Sequence, residues 1–172
     1  MKKWDEKTIA FAAKTEGICD AYMNYLTGHT QTQWFTSLTK SPLNNRTDYK
    51  SIDSKYRRVT IELKNRDITI NQYNSIMIEP DKFSALCQTG STSELTDCSW
   101  YLNFMDNDKT KFWIVDIKKI MHKNIFLKKD VLITNKELGA EYSYKEDRLL
   151  IPKMYGHYYE LDNITNKYKQ LW

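Results

Sequence analysis

Between Val59 and Lys64 the chain alternates strictly, with Val59, Ile61 and Leu63 apolar and Thr60, Glu62 and Lys64 polar. Successive side chains on a strand point to opposite faces, so the pattern predicts a half-buried β-strand that carries Glu62 and Lys64 on one face. The preceding run Asp48 to Ile52 can fold back on it through the polar turn Asp53-Ser54-Lys55-Tyr56-Arg57. A hairpin centred on Lys55 sets Asp48 opposite Glu62, and opposed side chains on one sheet face lie about 5 Å apart at Cβ. Two carboxylates at that separation repel unless a hard cation sits between them, and magnesium prefers oxygen ligands. Lys64, on the same face, could position or deprotonate a water beside such an ion.

An acidic residue at the start of one strand, followed by acid-x-lysine in the next, resembles the core motif of the PD-(D/E)xK nuclease superfamily. Asp48 matches the first position, Glu62 the second acid and Lys64 the lysine; the proline that names the motif is missing, Arg46-Thr47 standing before Asp48. The resemblance covers Trp4 to Ile117 in the order of elements and only the hairpin in actual motif. It implies an α/β fold with a restriction-endonuclease-like core, a central mixed β-sheet flanked by helices, and added C-terminal strands, all in a single domain over residues 1–172. It also implies a nuclease, endo- or exo-acting, that hydrolyses DNA phosphodiester bonds with Mg2+ or Mn2+ held by Asp48, Glu62 and the backbone carbonyl of Leu63. Lys64 would orient or activate a water, or stabilise the pentavalent phosphate. Members of the superfamily often carry a further acid on the helix before the hairpin, here Glu16 or Asp20, and a lysine or glutamine after the triplet, here Lys82 or Gln72. Two alternatives stay open: a catalytically inactive nucleic-acid-binding or virion-associated structural protein on the same fold, and an unrelated α+β protein whose Glu-x-Lys arose by chance.

The 172 residues fit one domain with a core of its own, and 41% hydrophobic residues with five Gly and three Pro leave little room for long linkers. Net charge is +4, compatible with a nucleic-acid partner without requiring one. Basic residues gather near the hairpin, with Arg57, Arg58 and Arg66 expected at phosphates, and again at Lys118-Lys119, His122-Lys123 and Lys128-Lys129. Cys19, Cys87 and Cys98 are too widely spaced for a zinc site or a disulfide framework, which favours a reducing, cytoplasmic setting. Charged residues interrupt every apolar run near the N-terminus, so neither a signal peptide nor a membrane span is expected. Richness in Lys, Asn, Ile and Tyr points to an AT-rich genome such as a phage or a low-GC bacterium, with a homodimer or a virion protein as conceivable partners.

Along the chain, Trp4 to Leu26 reads as helical, with Phe11, Ile18, Tyr22 and Tyr25 on one face and Gly28 before His29 as its stop. The segment Gln31 to Thr47 holds Trp34, Phe35 and Leu38 among polar residues, then Ser41-Pro42-Leu43-Asn44-Asn45 as a turn-rich connection into the hairpin. Ser75 to Ile78 reads as a buried strand, and Pro80 opens a helix with Phe83, Leu86 and Cys87 inward. A polar loop around Gly90-Ser91-Thr92-Ser93 follows, then a second hairpin, Trp100–Met105 and Lys111–Ile117, extending the same sheet. Asp106 and Asp108 in its turn lack the downstream Gly and Glu of a calcium loop. Tyr155, His157, Tyr158 and Tyr159 would either finish a small core or stack on bases. The chain has no internal repeat, Walker-type loop, dinucleotide fingerprint or nucleophile elbow.

Overall fold

A computed structural model describes residues 6–28, 35–42, 47–88, 97–123, 125–133, 144–162, 165 and 167–171. The expected polar loop at 89–96, the turn residues 43–46, and the sequence positions His29 and Trp34 lie outside the described residues. The elements in chain order are α1 (Glu6–Gly28), β1 (Phe35–Lys40), β2 (Tyr49–Asp53), β3 (Arg58–Asn65), β4 (Ser75–Ile78), α2 (Pro80–Gln88), β5 (Cys98–Met105), β6 (Asp108–Asp116), α3 (Ile117–Ile120), β7 (Phe126–Ile133), β8 (Tyr144–Pro152), β9 (His157–Asp162) and β10 (Lys167–Gln170).

The hairpin β2–β3 forms in the expected register, Tyr49 opposite Ile61 and Ile52 opposite Arg58, centred on Lys55. Asp53 organises its turn. Its carboxylate accepts the amides of Lys55 and Arg57 at 2.9 Å each and pairs with the Arg57 guanidinium at 2.7 Å. Burial opposes the charge on Asp53, but these hydrogen bonds outweigh it and hold the carboxyl below its ordinary range. The turn places Tyr56 at φ 58°, the left-handed region that local hydrogen bonding must support in a residue other than glycine.

The central sheet has seven strands in the order β1-β2-β3-β5-β6-β9-β10. It is mixed: β3 and β5 run parallel, while the other neighbouring pairs are antiparallel. A parallel pair needs a crossover, and here β4 and α2 supply it. The sequence reads β5 and β6 as a hairpin of the same sheet, and they are one, turning through Asp106 and Asn107 at φ 58° and 51°. Two consecutive left-handed residues match the twist of the flanking strands.

A second sheet, β4-β8-β7, lies apart from the first. β4 thus does not join the main sheet. It pairs antiparallel with β8, Ile76 opposite Ile151. The C-terminal strands divide between the sheets, β7 and β8 in the small one and β9 and β10 at the edge of the large one.

Two apolar clusters result, one on each face of the central sheet. Met23 and Leu26 of α1 pack on Val59, Ile61, Leu63, Leu102 and Phe104. On the opposite face Ile78, Leu86, Ile117 and Ile151, from β4, α2, α3 and β8, pack on Tyr101, Met105, Trp113 and Val115. Every residue of β5 is buried, as expected of a strand covered on both faces. The C-terminal aromatics serve these cores: Tyr158 is 3% exposed, Tyr159 stacks on Phe112 with ring centroids 5.1 Å apart, and Tyr155 packs against the second cluster. His157 alone of that group is exposed. Among the described residues no helix is long and apolar enough to cross a membrane.

Candidate active site

The alternation in β3 sends Val59, Ile61 and Leu63 under α1 and Thr60, Glu62 and Lys64 to the other face. The sequence leaves that second face half-solvated, but α2 and the small sheet cover it. Glu62 is 1% exposed. Because β3 and β5 are parallel, the crossover helix α2 must run back between them, which brings its first turn over the carboxyl ends of the strands. Ligands of open α/β sheets gather at such ends. Here the geometry delivers Glu79 and Lys82 to Lys64 and Glu62.

Glu62 is paired on both oxygens. Lys64 Nζ lies 3.6 Å from Oε1, and Lys82 Nζ lies 3.2 Å from Oε2. Burial, and next the nearby Asp48 carboxylate, push the Glu62 carboxyl up to about 7, against the opposing pull of the two ammonium groups. Desolvation therefore outweighs pairing at this carboxylate. Asp48 is fixed by the backbone it faces: its amide donates to the Ile61 carbonyl at 3.0 Å, and its Oδ2 accepts the Leu63 amide at 2.7 Å. Asp48 is thus tied to the main chain between Glu62 and Lys64, near enough for its charge to act on Glu62.

Lys64 has a second anion. Its Nζ lies 3.5 Å from Oε1 of Glu79, which in turn is 3.7 Å from the Arg148 guanidinium of β8. Burial opposes the Lys64 charge, but Glu79, the Tyr101 hydroxyl and Glu62 more than offset it and raise its affinity for the proton. Burial likewise opposes the charge of Glu79, yet Lys64, a backbone amide and Arg148 prevail and hold that carboxyl below its ordinary range. Arg148, 6% exposed, closes the chain of charges on Glu146 at 2.9 Å.

The remaining residues singled out from sequence are distributed as follows. Glu16 lies on α1, over the opposite face, paired with Lys40 at 2.8 Å; Asp20, one turn on, pairs with the same lysine at 2.6 Å and accepts the Tyr49 hydroxyl. On α1, burial and then Asp48 push the Cys19 thiol up to about 11. Gln72 is exposed beyond β3, with its amide on the Tyr73 hydroxyl at 3.2 Å. Arg57 is bound into the hairpin turn and Arg58 is exposed beside it. Arg66, expected at phosphates, instead turns inward. Its guanidinium donates to Asn103 Oδ1 at 2.9 Å, to the Tyr101 hydroxyl at 2.6 Å and to the Met77 carbonyl. The parallel register explains this, since it sets Glu62 beside Tyr101 and Lys64 beside Asn103 on a covered face.

Sequence reasoning missed Glu79, Arg148, Tyr101 and Asn103. Glu79 reads as a helix-start residue. Arg148 lies far along the chain on a strand of another sheet, so no local spacing links it to Lys64.

Among the described residues no group of three or more His, Cys, Asp or Glu is arranged to hold a metal ion. Asp48 and Glu62 are two carboxylates, and with backbone carbonyls and waters they suit magnesium, which keeps part of its hydration shell, rather than zinc. The cost of holding Glu62 charged beside Asp48 is what a divalent cation between them would relieve. The donor set therefore fits such an ion.

No protein-family model matches the chain, and no curated protein matches it either. Among solved structures it is similar to that of Hjc, a Holliday junction resolvase from Archaeoglobus fulgidus, an archaeal hyperthermophile. The likeness has a TM-score of 0.47 at 10% sequence identity, over 88% of this chain and 98% of that one.

Proposed function

We propose that the protein is a divalent-metal-dependent nuclease that hydrolyses phosphodiester bonds of DNA. The observation that carries the reading is Glu62: a carboxylate 1% exposed, pushed toward its neutral form by burial and Asp48, and flanked by Lys64 and Lys82. Burying a charge is costly unless partners compensate it, and perturbed groups of this kind gather at functional sites.

In this reading Asp48, Glu62 and the Leu63 carbonyl hold Mg2+ or Mn2+. The bound ion supplies Lewis-acid polarisation of the scissile phosphate and a water of lowered pKa. The Leu63 amide holds Asp48 in place, and the covered face keeps bulk water from Glu62. Lys64 orients the attacking water or meets the charge that builds on the phosphate. Lys82, on the first turn of α2 and 3.2 Å from Glu62, would place a second ammonium beside the substrate backbone. Arg58, exposed beside the hairpin turn, supplies a phosphate contact, and Arg57, whose guanidinium is held by Asp53, adds positive charge next to it.

One observation favours a second reading, a nucleic-acid-binding or structural protein without activity: both oxygens of Glu62 already have a lysine partner, so the site is internally compensated. The two readings separate in one experiment. Linear, circular and single-stranded DNA are incubated with wild type, Glu62→Gln and Asp48→Asn in Mg2+, Mn2+, Ca2+ or chelator. Cleavage by wild type alone, in Mg2+ or Mn2+, supports the nuclease. DNA retention without cleavage under every condition leaves the binding protein.

A further inference from the structure

Lys64 stands between two carboxylates, 3.6 Å from Glu62 and 3.5 Å from Glu79. Only one of them is free to stay with it. A cation taken up by Glu62 and Asp48 would draw the charge of Glu62 away from Lys64 and repel the ammonium at close range, where burial weakens solvent screening. Without a second anion Lys64 would swing out of the site as the metal arrives.

We propose that Glu79 is the positioning residue for Lys64, keeping its ammonium at the site once Glu62 is committed to a divalent cation. The inference rests on the nuclease reading for its catalytic consequence and deepens it by assigning a residue outside the motif. Three features of the structure support it. Glu79 is anchored at the start of α2, where its carbonyl accepts the Phe83 amide at 2.9 Å. Its Oε1, the oxygen that faces Lys64, also lies 3.7 Å from Arg148, itself buried and held by Glu146 at 2.9 Å. Its second oxygen, Oε2, is buried without a hydrogen-bond partner among the described residues, so the carboxylate has an acceptor in reserve for an ammonium that moves closer. A buried acceptor left unsatisfied costs stability, and a metal-bound state in which Lys64 turns fully to Glu79 would recover that cost.

The test compares wild type, Glu79→Gln, Glu79→Asp, Lys64→Met and the double variant Glu79→Gln/Lys64→Met. Cleavage kinetics in Mg2+ are paired with 15N NMR of lysine ammonium groups in Ca2+. Glu79→Gln should lower kcat by about tenfold or more with KM within about twofold, and should lose nothing further in the Lys64→Met background, because it acts through that lysine. Glu79→Asp should recover part of the rate. In Ca2+ the Lys64 ammonium signal should persist in wild type and vanish by solvent exchange in Glu79→Gln. Wild-type rates in Glu79→Gln, or a loss that adds in full to that of Lys64→Met, would overturn the proposal. If wild type cleaves nothing, the nuclease reading fails and the ammonium signal alone decides: loss in Glu79→Gln upholds the positioning role, and an unchanged signal rejects it.

Discussion

The amide of Leu63 donates a 2.7 Å hydrogen bond to Oδ2 of Asp48, fastening one carboxylate to the backbone between Glu62 and Lys64. The bond is a product of the hairpin register. Tyr49 opposite Ile61 is the last described pair of the ladder, and the chain before it bends so that the amide of Asp48 reaches the Ile61 carbonyl and its side chain the next free donor. Asp48 is thereby positioned by main-chain groups of β3.

Removing the Glu62 charge should separate activity from stability. If Glu62 holds the ion, Glu62→Gln should lose cleavage by about a hundredfold or more, while its folded state survives, because burial already pushes this carboxyl toward its neutral form, the amide oxygen can still accept from a lysine, and Lys64 keeps Glu79 as its anion. Circular dichroism and cleavage assays on the same preparation check both. Unfolded Glu62→Gln at neutral pH would mean that the ion pairs with Lys64 and Lys82 hold the fold together.

The same residue sets a pH dependence. Its carboxyl is raised from 4.5 to about 7 in the folded protein, so between those values the native state holds a proton that the unfolded chain releases. Stability from this group is then fullest below about pH 4.5 and falls as pH rises toward 7, by at most about 3 kcal/mol. Urea midpoints of wild type and Glu62→Gln across pH 5 to 8 give the comparison, and the difference between them should change with that sign. Parallel pH curves for the two proteins would show that Glu62 is not raised.

Arg66 should prove structural. Arg66→Met removes the donor to the Asn103 amide oxygen, leaves the Met77 carbonyl with the Tyr101 hydroxyl alone at 2.8 Å, and should cost about 1–3 kcal/mol in chemical denaturation. The exposed Arg58 is the contrasting position. Arg58→Glu should leave stability within about 0.5 kcal/mol. It should also reduce the salt slope of DNA binding in calcium by about 0.9, the share of one neutralised phosphate. An unchanged slope would remove Arg58 from the interface.

Gly156, between the 3-10 turn Lys153–Tyr155 and β9, has no room for a side chain. A Cβ there would lie 2.5 Å from the Trp113 ring and 2.6 Å from the Ile114 carbonyl. The Trp113 indole is itself held by its bond to the Lys153 carbonyl at 3.1 Å, so it cannot step aside freely. Gly156→Ala should destabilise by about 1–3 kcal/mol, read as a lowered melting temperature. An unaltered melting curve would show that β9 can shift to make room.

The hairpin was legible in the sequence because its determinants are local. Strict alternation from Val59 to Lys64 settles which residues share a face, and the turn around Lys55 sets the register that brings Asp48 toward Glu62. The helix at the N-terminus, the strand Ser75–Ile78 and the helix opened by Pro80 follow from equally local signals. What alternation cannot convey is how far a polar face is covered. Glu62 is buried only because β3 pairs in parallel with β5, which forces a crossover, and because the crossover strand β4 joins β8 in a separate sheet laid over that face. The same nonlocal packing brought Glu79 and Arg148 to Lys64 and turned Arg66 inward. Charge and spacing in a chain state which groups are available; desolvation and partnership, which decide what those groups can do, depend on neighbours that only the folded sheet order supplies.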